Sequence, residues 1–194
     1  MAPTREHALA GGRDHRNLRP ASIGTGGRFR SESPADCVGM RIDMRWPGAR
    51  TSGIARTRLI DDWASAEVAA GAQQALILGA GFDSCAWRLP AFHDLPVFEV
   101  DRPATSATKK KQIEELGAST ARVTFVPIDF DRARLSDALS NSGFQDNRRT
   151  LVIWEGVTNY LTADAVDRTL RWVGALTEGS RMIFTYVDAD VFML

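Results

Sequence analysis

From about residue 54 onward the chain alternates between two kinds of segment. Short apolar runs occupy Ala75–Leu78, Val97–Val100, Val123–Ile128, Leu151–Trp154 and Met182–Val187. Each is long enough for a strand and too short for a helix. Between them lie stretches with a partial 3.6-residue period. Ala55–Ala70 carries Leu59, Ile60, Trp63 and Val68 as a stripe, and Gly71 follows as a C-cap. Phe82–Leu89 leaves room for one or two helical turns, and Thr105–Leu116 reads as a helix closed by Gly117. Ala133–Ser142 places Leu135, Ala138 and Leu139 on one side and ends at Gly143. A last helix is capped by Thr162, with Asp164 and Asp167 in its early turns, Val166, Leu170 and Val173 as its buried stripe, and Gly179 at its end. Strands that alternate with helices predict an α/β fold with a mostly parallel, doubly wound sheet of about five strands.

The first 50 residues differ in kind. They hold seven glycines and four prolines, with scattered serine and arginine, and show no period of 3.6 or 2. Such a composition buries too little apolar surface to offset chain entropy. The expected organisation is a low-order leader over 1–53 and a folded domain over 54–194.

Charge sharpens this division. The net charge is zero, yet residues 1–60 carry 11 arginines against 5 acids, and the remainder carries 13 basic against 19 acidic residues. Few aromatics interleave with the leader arginines, so a nucleic-acid arm is not expected. No apolar run approaches the roughly 20 residues needed to cross a bilayer. Cys37 and Cys85 lie in unrelated contexts, and His7, His15 and His93 lack metal-ligand spacing. The expectation is a cytoplasmic, metal-free protein.

Candidate chemistry gathers around one stretch. The first strand stops at Gly79-Ala80-Gly81, and the second ends in Asp101. Glycine at such a turn lets a ligand approach the backbone. An acid at the tip of the next strand can accept hydrogen bonds from two ribose hydroxyls. A dinucleotide fingerprint would need glycine at position 84, where serine stands, so the match to a nicotinamide-dependent oxidoreductase is partial. Asp129-Phe130 at the end of the third strand fits two roles: holding an adenine ring, or N-capping the next segment. The fourth strand runs into Glu155-Gly156-Val157-Thr158-Asn159-Tyr160, at the strand end where α/β ligand sites lie. The first helix would bring Arg56 and Arg58 near the glycine turn, where an arginine can grip a carboxylate with two hydrogen bonds or simply face solvent. Lys109, Lys110 and Lys111, followed by Glu114 and Glu115, read as an exposed helix face.

Taken together, LILGAGFDSCAWRL, FEVDRPATSATKK, FVPIDF and IWEGVTNYLT resemble the leucine carboxyl methyltransferase family, in its bacterial, actinomycete-type branch, over about residues 54–190. Cys85 stands where that family usually has arginine. The resemblance implies a class I, Rossmann-like methyltransferase fold that uses S-adenosyl-L-methionine. It implies that Gly79, Ala80 and Gly81 face the methionine half of the cofactor. Asp101 would bind the ribose, Asp129 and Phe130 the adenine, Glu155 the amino group, and Arg56 the carboxylate. Tyr160 would stand on the substrate side. Transfer would proceed by in-line positioning without a general-base triad, onto a carboxylate of a small metabolite or polyketide-like acid. A complete fold of this class has seven strands, so the chain is expected to be truncated, and a catalytically inactive cofactor-binding remnant is the alternative.

Overall fold

A computed structural model describes residues 47–187. The expected leader up to residue 46, with Cys37, His7 and His15, lies outside the described residues. Five strands follow in chain order: β1 (Gln74–Leu78), β2 (Val97–Asp101), β3 (Val123–Pro127), β4 (Thr150–Trp154) and β5 (Arg181–Phe184). The helices are α1 (Pro47–Ala69), α2 (Cys85–Arg88), α3 (Pro103–Glu115), α4 (Leu135–Leu139) and α5 (Ala163–Gly174). Short 3-10 turns lie at Pro90–Phe92 and Thr158–Tyr160.

The strands form one parallel sheet in the order β3-β2-β1-β4-β5. Side chains alternate across it. Ala75, Ile77, Val97, Leu151 and Ile153 pack with Ile60 and Ala64 of α1, Ala86 of α2 and Phe92. Leu76, Leu78, Phe98, Val100, Val152 and Trp154 pack on the opposite face with Leu135 and Leu139 of α4, and Val166, Trp172 and Val173 of α5 border them. The central strands are buried on both faces, which is why their sequences read as continuous apolar runs. The chain builds outward from β1 through β2 to β3, then returns to β4 and β5 on the other side. The connections after β1 and β4 therefore leave on opposite sides of the switch point at the carboxyl edge of the sheet, where α/β folds form a ligand crevice, and Val157 of the latter comes back against Gly79.

Two helix ends match glycines read from the sequence, whereas α4 and α5 end earlier, at Leu139 and Gly174, short of the expected Gly143 and Gly179. Gly71 adopts φ 102°; its N–H donates to Val68 O at 3.0 Å and that of Ala72 to Glu67 O at 3.1 Å. Gly117, at φ 69°, closes α3 in the same way, with Ala118 N–H donating to Ile113 O. Both are Schellman ends that need the left-handed conformation glycine provides.

Helix faces diverge from the expected stripes. In α1, Leu59 and Trp63 of the expected stripe are 47% and 52% exposed, while Ile60 and Val68 of that stripe make the contact together with Ala64. In α5, Leu170 is 38% exposed, and Ala165 and Thr169 are buried in its place. In α1 the small Ala64 sits at the sheet and the larger Leu59 and Trp63 turn outward. Lys109 of α3, expected on a solvated face, is buried. The α1 helix also starts at Pro47, earlier than the expected onset near Ile54. The expected strand Met182–Val187 is shorter, Arg181–Phe184.

Candidate functional site

The glycine bend after β1 is fixed by backbone geometry. Gly79 and Gly81 adopt φ 64° and φ 46°, where an L side chain is strained. A Cβ on Gly79 would stand 2.3 Å from Val157 Cγ2. Glycine is thus required at 79 twice over, once for φ and once for the close approach of the loop after β4. The N–H groups of Gly79 and Ala80 both donate to Val100 O, at 2.7 and 3.1 Å. That leaves the N–H of Gly81, which donates to Asp101 Oδ2.

Asp101 ends β2, next to the bend. Its Oδ1 accepts from Arg102 N at 2.6 Å. Each carboxylate oxygen therefore holds one backbone N–H and keeps a lone pair for an outside donor. Asp129 lies just past β3 on the neighbouring strand end, since Asp101 pairs with Pro127 in the parallel register. Asp129 Oδ1 accepts from Asp131 N at 3.1 Å, and its backbone carbonyl accepts from Arg132 and Ala133. Asp129 thus closes a turn and does not N-cap a helix, since α4 begins only at Leu135 with Arg134 at its N-cap. Phe130 is buried among the core residues of the second face and borders a cavity of about 330 Å³ between α4 and α5.

Across the crevice, Arg56 of α1 and Glu155 after β4 meet directly: Arg56 Nε lies 2.7 Å from Glu155 Oε1. Tertiary folding brings together two residues 99 positions apart that the sequence reading had placed in one pocket. Arg58, expected to accompany Arg56, instead pairs along the helix with Asp62. The ends of β4 and β5 are knitted by Thr185, whose Oγ1 accepts from Gly156 N at 2.8 Å and whose N–H donates to Trp154 O at 3.0 Å. A cavity of about 280 Å³ opens here, lined by Arg56, Gly156, Asn159, Phe184, Tyr186 and their neighbours. Tyr160 sits on the adjacent 3-10 turn, 53% exposed and outside that lining.

Beneath the bend lies a polar cluster that the sequence reading missed. Glu99 in β2 and Lys109 in α3 are each 1% exposed, with Lys109 Nζ 2.6 Å from Glu99 Oε2. Lys109 also stands over the Trp87 ring, 5.3 Å from its centroid. Burial raises the Glu99 carboxyl to about 7, against the lowering pull of Lys109. Asp83 Oδ1 accepts from Cys85 N at 2.6 Å, and burial followed by the Asp83 charge pushes the Cys85 thiol well up. An inert thiol is the consequence. The available signal was Glu99 itself: an acid inside an apolar strand needs a buried partner. Among the described residues no group of three or more His, Cys, Asp or Glu is arranged to hold a metal ion. No helix there is long and apolar enough to cross a membrane.

The chain is 38% identical over 138 residues to a protein of Mycolicibacterium gilvum named "Putative S-adenosyl-L-methionine-dependent methyltransferase", covering 70% of this chain and 45% of that one. It is 40% identical over 144 residues to a protein of Mycobacterium tuberculosis with the same name, covering 72% and 46%. The chain thus spans a little under half the length of these relatives. An O-methyltransferase family protein from Burkholderia thailandensis shares the fold at a TM-score of 0.50 and 21% identity, over 76% of this chain and 44% of that one. The family model described as leucine carboxyl methyltransferase matches residues 21–174, and the chain belongs to that family.

Proposed function

We propose that this chain forms the cofactor-binding part of an S-adenosyl-L-methionine-dependent O-methyltransferase. The observation that carries the reading is Asp101: a carboxylate at the tip of β2, anchored to the glycine bend through Gly81, with acceptor capacity left on both oxygens. That is the chemistry needed to hold a pair of ribose hydroxyls. Asp129, on the next strand end, would accept from the exocyclic amine of adenine beside Phe130.

The Arg56–Glu155 pair supports the rest. Facing opposite charges suit the carboxylate and ammonium groups of an amino-acid tail, which can take over each partner's bond. Gly79, Ala80 and Gly81 would border that tail. When bound, the cofactor supplies an activated methyl group on a sulfonium centre. The protein's own part is to fix the acceptor in line and keep water away.

The cavity lined by Phe184, Tyr186, Asn159 and Arg56 lies beside Glu155 and would receive the acceptor, with Tyr160 at its margin. Its aromatic wall of Phe184 and Tyr186 favours an acceptor with an apolar body, such as a small polyketide-like organic acid, methylated on its carboxylate. A cytoplasmic setting goes with this reading.

Calorimetry with S-adenosylhomocysteine and with NAD tests the cofactor assignment. Binding of S-adenosylhomocysteine is expected, and preference for NAD would sink it. A transfer assay on a panel of aromatic and aliphatic acids tests the reaction. Binding without transfer to any acid would assign this chain as a non-catalytic cofactor-binding unit.

A further inference from the structure

Glu99 and Lys109 form an ion pair sealed from solvent, and neither Glu99 oxygen nor Lys109 Nζ has a further hydrogen-bond partner among the described residues. Such a pair is a poor way to stabilise a fold, because desolvation consumes most of its attraction and two apolar side chains would fill the space as well. Its place in the molecule suggests another role. Glu99 lies two residues before Asp101 on the same face of β2. Lys109 crosses from α3 to Glu99 and covers Trp87 of α2, which in turn stacks on Phe125 of β3 at 6.3 Å. The pair thus ties α2, α3, β2 and β3 together directly under the glycine bend.

We propose that Glu99 and Lys109 are a buried positioning pair for the cofactor, clamping α2 and α3 to β2 so that Asp101 and the Gly79–Gly81 bend keep the shape that receives the ribose. The inference rests on the reading of Asp101 as the ribose acceptor. The charged and titratable groups acting on Glu99 are Asp83 from the bend, Asp101 from its own strand and Lys109 from α3, and Cys85 of α2 is coupled to it in turn. Lys109 is the one cation among them. A negative charge on Glu99 maintains the clamp, and a proton there releases Lys109. Since the Glu99 carboxyl titrates at about 7, the clamp is engaged above neutrality and loosens below it.

The experiment is calorimetry of S-adenosylhomocysteine binding to the full chain from pH 6 to pH 8. Wild-type affinity is expected to fall about tenfold from pH 8 to pH 6, the slope of one coupled proton. The doubly neutral variant Glu99→Gln/Lys109→Met should lose that pH dependence and bind about tenfold more weakly at pH 8. If that variant does not fold by circular dichroism, Glu99→Gln alone carries the same two readouts. Wild-type affinity that is flat across this range, or a folded neutral variant with wild-type affinity or the wild-type pH profile, overturns the proposal. Asp101→Ala in the same assay separates the two ideas. Unchanged binding in that variant, or no binding by wild type, defeats the ribose reading and the inference with it. Loss of binding there beside pH-independent wild-type binding defeats the pair alone.

Discussion

On the β1–β2 side of the crevice, polar groups are held by backbone and burial. Gly79 and Ala80 donate to Val100 O, Gly81 and Arg102 donate to Asp101, and Glu99 and Lys109 are sealed below them. On the β4–β5 side, long side chains do the work. Arg56 reaches Glu155 from a half-exposed position, and Phe184 and Tyr186 line an open cavity. One wall is preorganised and intolerant of change. The other can rearrange when a ligand arrives. That division suits a site that is rigid at the Asp101 end and adapts at the Arg56–Glu155 end to what it holds.

Substitutions should separate the two walls, beginning with the largest effect. Lys109→Met leaves Glu99 buried without a counter-charge, and denaturant unfolding at pH 8 should show a loss of about 3–5 kcal/mol. Adding Glu99→Gln to it should restore most of that loss; if it does not, the cluster is held by packing and not by charge.

Glu99 should also make stability depend on pH. Its carboxyl is raised from 4.5 to about 7 in the folded chain, so the fold binds the proton more tightly than the unfolded chain does. Its contribution is fully present below pH 4.5 and is lost as pH rises through 7, on the order of 3 kcal/mol in total. Unfolding of wild type and Glu99→Gln across that range isolates it. Stability therefore runs against the pH trend expected of cofactor affinity, as it would if the ionised pair serves binding at the fold's expense.

Gly79→Ala forces a left-handed alanine against Val157 and should cost about 2–4 kcal/mol by the same measurement. On the opposite wall the pattern should invert. Arg56→Ala removes a partly exposed ion pair and should change stability by less than about 1 kcal/mol. Its weight should fall on binding, with about tenfold weaker affinity for S-adenosylhomocysteine in calorimetry. Arg58→Ala, which loses only an exposed helix pair, should leave stability within about 0.5 kcal/mol and binding unchanged. Equal effects at positions 56 and 58 would remove the distinction between the two walls.

What could be read without coordinates follows from local rules. Apolar runs of strand length marked all five strands, and Gly71 and Gly117 marked helix ends because the left-handed turn there admits little else. The place of Asp101 was legible as an acid closing an apolar strand next to a glycine bend, where its carboxylate accepts from Gly81 N–H. Helix faces were legible only in part: Leu135, Ala138 and Leu139 face the core as their spacing implies, and the other stripes do so only in part. Leu59, Trp63 and Leu170 look like core residues, yet the rotation of each helix about its axis is set by its packing partners and leaves these three exposed. Lys109 was misread for a similar reason. Followed by two further lysines and then by glutamates, it carries no local sign that it alone points inward.

The sequence by itself determined the order of strands and helices, the glycine bend and the acids at the strand tips, because these depend on backbone conformation and on neighbours close along the chain. Only the tertiary structure decided which charges meet: Arg56 with Glu155 across the crevice, and Glu99 with Lys109 beneath it. Such pairings depend on how separate elements are set against one another, and on how far each pair is withdrawn from water. One-dimensional spacing records neither.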